Sequence, residues 1–306
     1  MSITLGDKVI VTGGAGFIGS HIAEMLVKKG YDVHVIDNLI EGTRENVPKG
    51  ATLHVVDICD YAALEPIFSG VTYVFHFAAL PRVQFSIEHP KEAHDTNVTG
   101  TLHVLMAAQK AGARRVIYAA SSSAYGDQDI LPLHEGMSAH PKSPYGLHKY
   151  MGELYARLYS EIFGLSTVSL RYFNVYGPRQ NPNGAYALVI PKFLQMSKEG
   201  KPLTLTGDGT QTRDFTHIDD VVRANLLAMG STKVGQGEII NIGANKNVSI
   251  NRIAELIGGP IEYVTPRLEP HDTLADVTRA RELLNWEPKI SIEEGIAALK
   301  RDHGII

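Results

Sequence analysis

Tyr145 and Lys149 are separated by Gly146-Leu147-His148 in a stretch whose pattern predicts a helix. Side chains four apart on a helix stand on one face, so a phenol and an ammonium would be held together on a rigid element. A free tyrosine titrates near ~10 and is a poor base at neutral pH. Lowering it to ~7 takes about 4 kcal/mol, and one cation ~4 Å away supplies that at an effective dielectric of ~20. Lys149 could therefore turn Tyr145 into a general base.

A second group of residues has the chemistry of a phosphate cradle. The strand-like run 8–12 leads into Gly13-Gly14-Ala15-Gly16-Phe17-Ile18-Gly19. A helix follows, with Phe17, Ile18, Ile22, Ala23, Leu26 and Val27 at helical spacing up to Gly30. Glycines let backbone approach a pyrophosphate, and the helix start supplies free N–H groups and positive partial charge. The next strand, 32–36, ends in Asp37-Asn38, roughly 20 residues past the glycines, where a carboxylate takes the adenosine ribose hydroxyls. That carboxylate would repel a 2′-phosphate, which favours NAD over NADP.

Further strands read at 53–58, 73–77, 115–120 and 167–172, with a helix around 93–111. Such alternation means a doubly wound parallel sheet, a Rossmann α/β fold, with helices on both faces. Asp37, Asp57, Ala78, Ser121 and Asn174 fall at predicted strand ends, where sheets of this kind gather their functional groups. Past Gly177 the texture changes to a Pro-, Asn- and Gly-rich loop, then shorter strands at 203–206 and 238–242. Helices are expected at 186–196, 219–229, 251–257 and 292–300, the last opened by a Ser291/Glu294 capping box. We expect residues 1–177 to form mainly the dinucleotide domain and 178–306 a smaller α/β substrate domain, with segments near 214–243 returning to the first.

Composition sets outer bounds. The chain has 306 residues, 44% hydrophobic and 8% aromatic, with a formal charge of −4 from 29 basic and 33 acidic residues. That balance argues against nucleic acid and anionic membranes as partners. The lone Cys59 allows no internal disulfide. No run approaches the ~18 apolar residues of a membrane span, and the N-terminus enters a strand without a signal-peptide pattern, so a cytoplasmic setting is expected. The 13 histidines show no metal-ligand spacing, and no metal is assigned.

These motifs, with Arg171-Tyr172-Phe173-Asn174-Val175-Tyr176-Gly177-Pro178, resemble the extended short-chain dehydrogenases that act on nucleotide sugars. Within them the chain is most similar to UDP-glucose 4-epimerases, including those accepting N-acetylated sugars. The resemblance implies a tightly held NAD, a UDP-sugar substrate, a homodimer and a redox-neutral cycle through a transient 4-keto sugar. Tyr145 would take the proton of the sugar 4-hydroxyl, and Lys149 would lower the Tyr145 pKa and bond the nicotinamide ribose. Ser121 matches the family's catalytic hydroxyl, Ser123 shares that role, and Ser122 joins Ser121 beside the sugar. The cofactor set becomes Gly13, Gly16, Phe17, Ile18, Gly19, Asp37, Asn38, Asp57, Ile58, Phe77, Ala78, Ala79, Asn97, Tyr145, Lys149 and Tyr172. Asn174, Arg213 and Arg267 would hold the UDP diphosphate, an arginine fork suiting paired phosphate bonds. Either arginine could instead make a surface ion pair.

The chain departs from the family pattern at two places. Pro81, followed by Arg82, stands where many epimerases have a lysine. Thr273 stands where epimerases confined to non-acetylated sugars often have tyrosine, and a small residue there leaves room for N-acetylated UDP-hexoses. The same core chemistry leaves a UDP-glucuronate 4-epimerase, a decarboxylase or a 4,6-dehydratase open. By the resemblance, dehydratases carry Asp and Glu where this chain has Ser122 and Ser123. A non-catalytic NAD-binding regulator would need neither Tyr145 nor Lys149.

Overall fold

The computed structural model describes residues 6–182, 188–265 and 271–305. Strands β1 (Lys8–Thr12), β2 (Asp32–Ile36), β3 (Thr52–His54), β4 (Val71–His76), β5 (Arg115–Ser121) and β6 (Thr167–Tyr172) are apolar runs closed by glycine or polar residues. Short strands follow: β7 (Val175–Tyr176), β8 (Leu203–Thr206), β9 (Thr212–Asp214) and β10 (Thr216–His217). The longer β11 (Gln236–Ile242) precedes β12 (Asn247–Ser249) and β13 (Ile261–Val264). The main sheet has seven strands in the order β11-β6-β5-β4-β1-β2-β3, and every neighbouring pair is parallel. Chain order reverses between β1 and β4, which opens a crevice at their carboxyl ends.

Helices cover both faces, as a sheet buried on both sides demands. They are α1 (Phe17–Lys28), α2 (Tyr61–Leu64), α3 (Val83–Glu88), α4 (Pro90–His94), α5 (Thr101–Lys110), α6 (Pro144–Phe163), α7 (Val189–Lys198), α8 (Ile218–Gly230), α9 (Ile250–Ile257), α10 (Thr278–Leu284) and α11 (Ile292–Asp302). One core joins α1, α8 and α10 to the sheet through Ile22, Leu26, Val221, Ala224 and Leu284. The opposite core joins α5 and α6 through Val104, Leu105, Ala108 and Tyr159. A third gathers α7, α9, α11 and β8 around Phe193, Leu205, Ile253 and Ile296.

Two differences from the sequence reading bear on the site. The strand expected at 53–58 ends at His54, because Asp57 turns the chain by accepting from the Cys59 N–H at 2.8 Å. The helix expected at 93–111 is continuous in direction but contains a π-helical turn over Asp95–Gly100, which carries Asn97. The Ser291/Glu294 capping box is present. Among the described residues, no helix is long and apolar enough to cross a membrane.

Candidate active site

Helix α6 starts sharply because Ser143 caps it, accepting from the Gly146 N–H at 3.1 Å, with Pro144 in its first turn. It stops at Gly164, whose left-handed φ of 66° suits glycine. Between these ends it lies close against β5 and the serine segment. An ideal Cβ on Gly146 would stand 2.7 Å from the Ser123 carbonyl oxygen, and one on Gly152 2.1 Å from the Tyr118 hydroxyl. The two glycines therefore set how near Tyr145 comes to the serines.

Tyr145, Ser121, Ser122 and Ser123 line one cleft of about 1870 Å³. The Ser121 and Ser123 hydroxyls are 2.7 Å apart, and the Ser123 N–H donates to Ser121 Oγ at 3.2 Å. Burial pushes the Tyr145 phenol up, while a hydrogen bond with Ser121 and the charge of Arg82 pull it back. Lys149 is buried, and burial lowers its ammonium to about 8 against the opposing pull of Glu153. Its Nζ donates to the Ala119 carbonyl at 2.8 Å and stands 5.2 Å from the Tyr118 ring centre. The pull on the Tyr145 phenol comes from Ser121 and Arg82, with Lys149 one helical turn away on the same face. Helical spacing fixed the face Lys149 stands on, and the carbonyl at the end of β5 decides where its ammonium points.

The nucleotide half of the cleft is built by the first two strands. Gly13 has φ +67° and lies so close to β4 that a Cβ would sit 2.6 Å from the Ala78 nitrogen; a Cβ on Gly19 would sit 2.2 Å from the Gly13 oxygen. Helix α1 begins at Gly16 without a side-chain cap and with no acid in its first turn, which leaves its dipole and N–H groups to an anion. Asp37 accepts from the Ala15 N–H at 2.9 Å and from the Leu39 N–H at 2.8 Å, and each oxygen keeps a second lone pair. Gly13, Gly16, Phe17, Ile18, Gly19, Asp37, Asn38, Ile58, Phe77, Ala78 and Ala79 all line the cleft. These residues fit a dinucleotide with free ribose hydroxyls.

Asp57 and Asn97 brace residues that line the cleft. Asp57 accepts from Asn38 Nδ2 at 2.9 Å. Asn97 holds the loop after β4, accepting from the Leu80 N–H at 2.8 Å and donating to the Leu80 carbonyl at 3.1 Å. Tyr172 lines the cleft with its ring, stacked 6.5 Å from Phe77, while its hydroxyl turns away to Asn225.

The other half of the cleft contains Asn174, Arg213 and Thr273, the residues expected at the substrate. Asn174, at φ +26°, donates to the Asp214 carbonyl at 3.1 Å. Arg213 Nη1 is bound to the Thr212 and His271 carbonyls at 2.9 and 3.0 Å. The Thr273 hydroxyl accepts from the Asp214 N–H at 3.3 Å. Arg267 lies outside the described residues. Among those residues, no cluster of three or more His, Cys, Asp or Glu could hold a metal ion.

Sequence reasoning missed three supports. Thr12, His76 and Thr101 form a buried chain, with contacts of 2.7 and 2.9 Å, that ties β1 and β4 to α5. Glu153 and Arg171 form a buried ion pair behind Lys149. Asp214 accepts from the Ala244, Asn245 and Ala275 N–H groups. Only Glu153 carried a visible signal, as an acid four residues past Lys149.

A Rossmann sheet with a glycine turn, an acid at the end of β2 and a Ser/Tyr/Lys cluster is a short-chain dehydrogenase in design. The chain belongs to the NAD dependent epimerase/dehydratase family, whose model matches residues 9–243; NAD is the cofactor of that family. A Methanocaldococcus jannaschii protein provisionally named UDP-glucose 4-epimerase is 40% identical over 94% of this chain and 95% of its own. A Thermodesulfobacterium geofontis UDP-glucuronate 4-epimerase is 38% identical over 94% and 93%. The crystal structure of Thermotoga maritima UDP-glucose 4-epimerase with UDP-glucose superposes with a TM-score of 0.90 at 39% identity, covering 94% of this chain and 96% of that one.

Proposed function

We propose that this enzyme is a 4-epimerase interconverting UDP-glucose and UDP-galactose, and also UDP-GlcNAc and UDP-GalNAc. The observation that carries the reading is the set of hydroxyls at the cleft floor. Ser121, Ser123 and Tyr145 converge there, and neither position 122 nor 123 supplies the carboxyl pair that loss of water from the sugar would need. A cleft of about 1870 Å³ is larger than the ~300–1,000 Å³ of a single small-molecule site, as holding a dinucleotide and a nucleotide sugar together requires. Bound NAD would supply the reversible hydride acceptor at the sugar C4.

Tyr145 removes the proton from the 4-hydroxyl and returns it after the sugar has turned. Ser121 and Ser123 orient the same oxygen. Ser121 also shares a hydrogen bond with the phenol, so proton and orientation are handled at one point. Lys149 stays cationic below about pH 8 and bonds the nicotinamide ribose. Asn174, Arg213 and Arg267 hold the diphosphate, and Thr273 leaves space at C2. Residues 1–177, with a returning segment near 214–243, serve the cofactor, and the remainder serves the sugar nucleotide.

Arg82 favours a second reading. Its guanidinium acts on the Tyr145 phenol and lies 3.8 Å from Glu41 across the cleft. A cation near the reacting centre suits a sugar whose C6 is a carboxylate, so UDP-glucuronate belongs in the same assay. NMR analysis of all three UDP-sugars, with wild type and Tyr145→Phe, tests both readings. Inversion at C4 by wild type, with turnover lost and NAD retained in Tyr145→Phe, is expected. A deoxy-4-keto product would overturn epimerase in favour of dehydratase.

The outer face of α6 exposes Leu147, Leu154, Leu158 and Ile162, with Met106 exposed on α5. Such a stripe supports a homodimer through these helices; Leu154→Glu with Leu158→Glu should give a monomer in light scattering. A cytoplasmic setting suits a chain whose single cysteine can close no internal disulfide.

A further inference from the structure

Tyr145, Lys149 and Glu153 stand at successive four-residue steps of α6, so one helix face presents phenol, ammonium and carboxylate in series. The Glu153 side chain is 0% exposed and that of Arg171, on β6, 2%. The guanidinium grips the carboxylate as a fork, Nε to Oε1 at 2.8 Å and Nη2 to Oε2 at 2.7 Å. Arg171 is itself clamped, 4.4 Å from the Tyr125 ring centre, while the Tyr125 hydroxyl donates to Asn241 of β11 at 2.7 Å.

A buried ion pair is weak evidence for stability, because desolvating two charges offsets most of their attraction. The arrangement makes more sense as a device acting on its neighbour. Lys149 and Arg171 are two buried cations with Glu153 as the one anion between them. Without that anion the cluster would hold two cations out of water. An arginine keeps its proton in such a place and a lysine gives its proton up.

We propose that Glu153, held by Arg171, is a positioning residue that keeps Lys149 charged and in place one helical turn from Tyr145; this rests on the proposed reading of Lys149 as the cation that bonds the nicotinamide ribose. The groups facing Lys149 leave no other candidate among the described residues. His76, from β4, is neutral, its imidazole lowered to about 3 by burial and by the Lys149 charge. Tyr118, from β5, is held protonated by burial. Tyr145, on α6 itself, is neutral at rest. Burial pushes the Glu153 carboxyl up, but the Arg171 fork and the Lys149 charge pull it back.

The test is an NMR titration of lysine Cε signals in the full, NAD-loaded chain, with Lys149 assigned by the signal missing from Lys149→Met. In Glu153→Gln the Lys149 midpoint should fall by about one pH unit, the usual effect of losing an adjacent opposite charge. The alkaline limb of the kcat profile should move with it. Glu153→Asp, which keeps the charge but shortens its reach, should shift less in the same direction and carries the test if the Gln variant does not fold. An unmoved Lys149 midpoint in a folded variant, or a uniform loss of kcat with a fixed limb, would overturn the proposal. A wild type that shows the titration but turns over no UDP-sugar would instead sink the functional reading alone.

Discussion

Gly146→Ala should separate activity from stability, because Gly146 is where the start of α6 meets the backbone of the serine segment. The added Cβ would stand 2.7 Å from the Ser123 backbone oxygen and 3.3 Å from both the Ser123 carbonyl carbon and Pro141 Cβ. Ordinary contact begins at 3.4 Å, so the start of α6 and the serine segment must part by about 0.7 Å. The obstacle is backbone and cannot swing aside. Overpacking of this kind costs ~1–3 kcal/mol, while replacing glycine in a helix returns up to about 1 kcal/mol. The net loss is therefore between about 0 and 3 kcal/mol, at most a few degrees in Tm for a chain of this size. The same displacement moves Tyr145 from Ser121 and Ser123. A misplacement near 1 Å can cost about 100-fold in rate, so kcat should fall roughly 10- to 100-fold. Calorimetry and coupled turnover assays on one preparation give both numbers. Gly230→Ala, at the end of α8 with nothing within 4 Å, is the control and should leave kcat unchanged while holding or slightly raising Tm. A Gly146→Ala enzyme within about twofold of wild-type kcat would refute the claim that this contact sets the geometry.

Three shorter predictions follow from the same cleft. Gly19→Ala drives a Cβ to 2.2 Å from the Gly13 oxygen and should cost NAD affinity at least about tenfold; NAD released on denaturing the purified protein measures it, and full occupancy would contradict the cradle. Turnover should decline as pH rises through about 8, where Lys149 loses its proton. Its folded value lies below the unfolded one, so the unfolded chain binds more protons and this titration leaves the fold more stable at higher pH; a rate flat to pH 10 would show that the charge is not needed. Thr273→Tyr should abolish UDP-GlcNAc turnover while sparing UDP-glucose, and equal loss on both would reject a gatekeeping role.

The sheet was readable because each buried parallel strand is a short apolar run that stands out on its own. The glycine turn and Asp37 were readable for a related reason: their meaning depends on neighbours close in sequence. Asp57 and Asn97, in the expected cofactor set, also bond Asn38 and Leu80, contacts that only the fold reveals. Nothing local distinguishes an acid that binds a ligand from one that binds the residue doing so. Glu153 and Arg171 are 18 residues apart on a helix and a strand, and pair only once α6 packs across β6. Lys149 marks a finer limit. Spacing assigned its face, but a four-carbon stem can carry an ammonium to any acceptor within reach, and here that acceptor is the Ala119 carbonyl.

The two halves of the cleft are held by the same device. Asp37 ties the Ala15 and Leu39 N–H groups on the nucleotide side. On the sugar side, Asp214 ties those of Ala244, Asn245 and Ala275. In each case loops that cannot pair with one another converge on a single carboxylate, because only an acceptor with about four lone-pair sites can serve several converging donors. The sugar side depends on it more heavily. Asn174 and Thr273 are bonded to the backbone of Asp214, and Arg213 precedes it in β9. Burial pushes the Asp214 carboxyl up to about 6, against three or more backbone hydrogen bonds pulling the other way. A carboxylate so costly to desolvate is retained because no apolar residue could collect those donors. Asn174, Arg213 and Thr273 are therefore all tied to Asp214, and on the proposed reading a change of sugar specificity at Thr273 has to leave that acid in place.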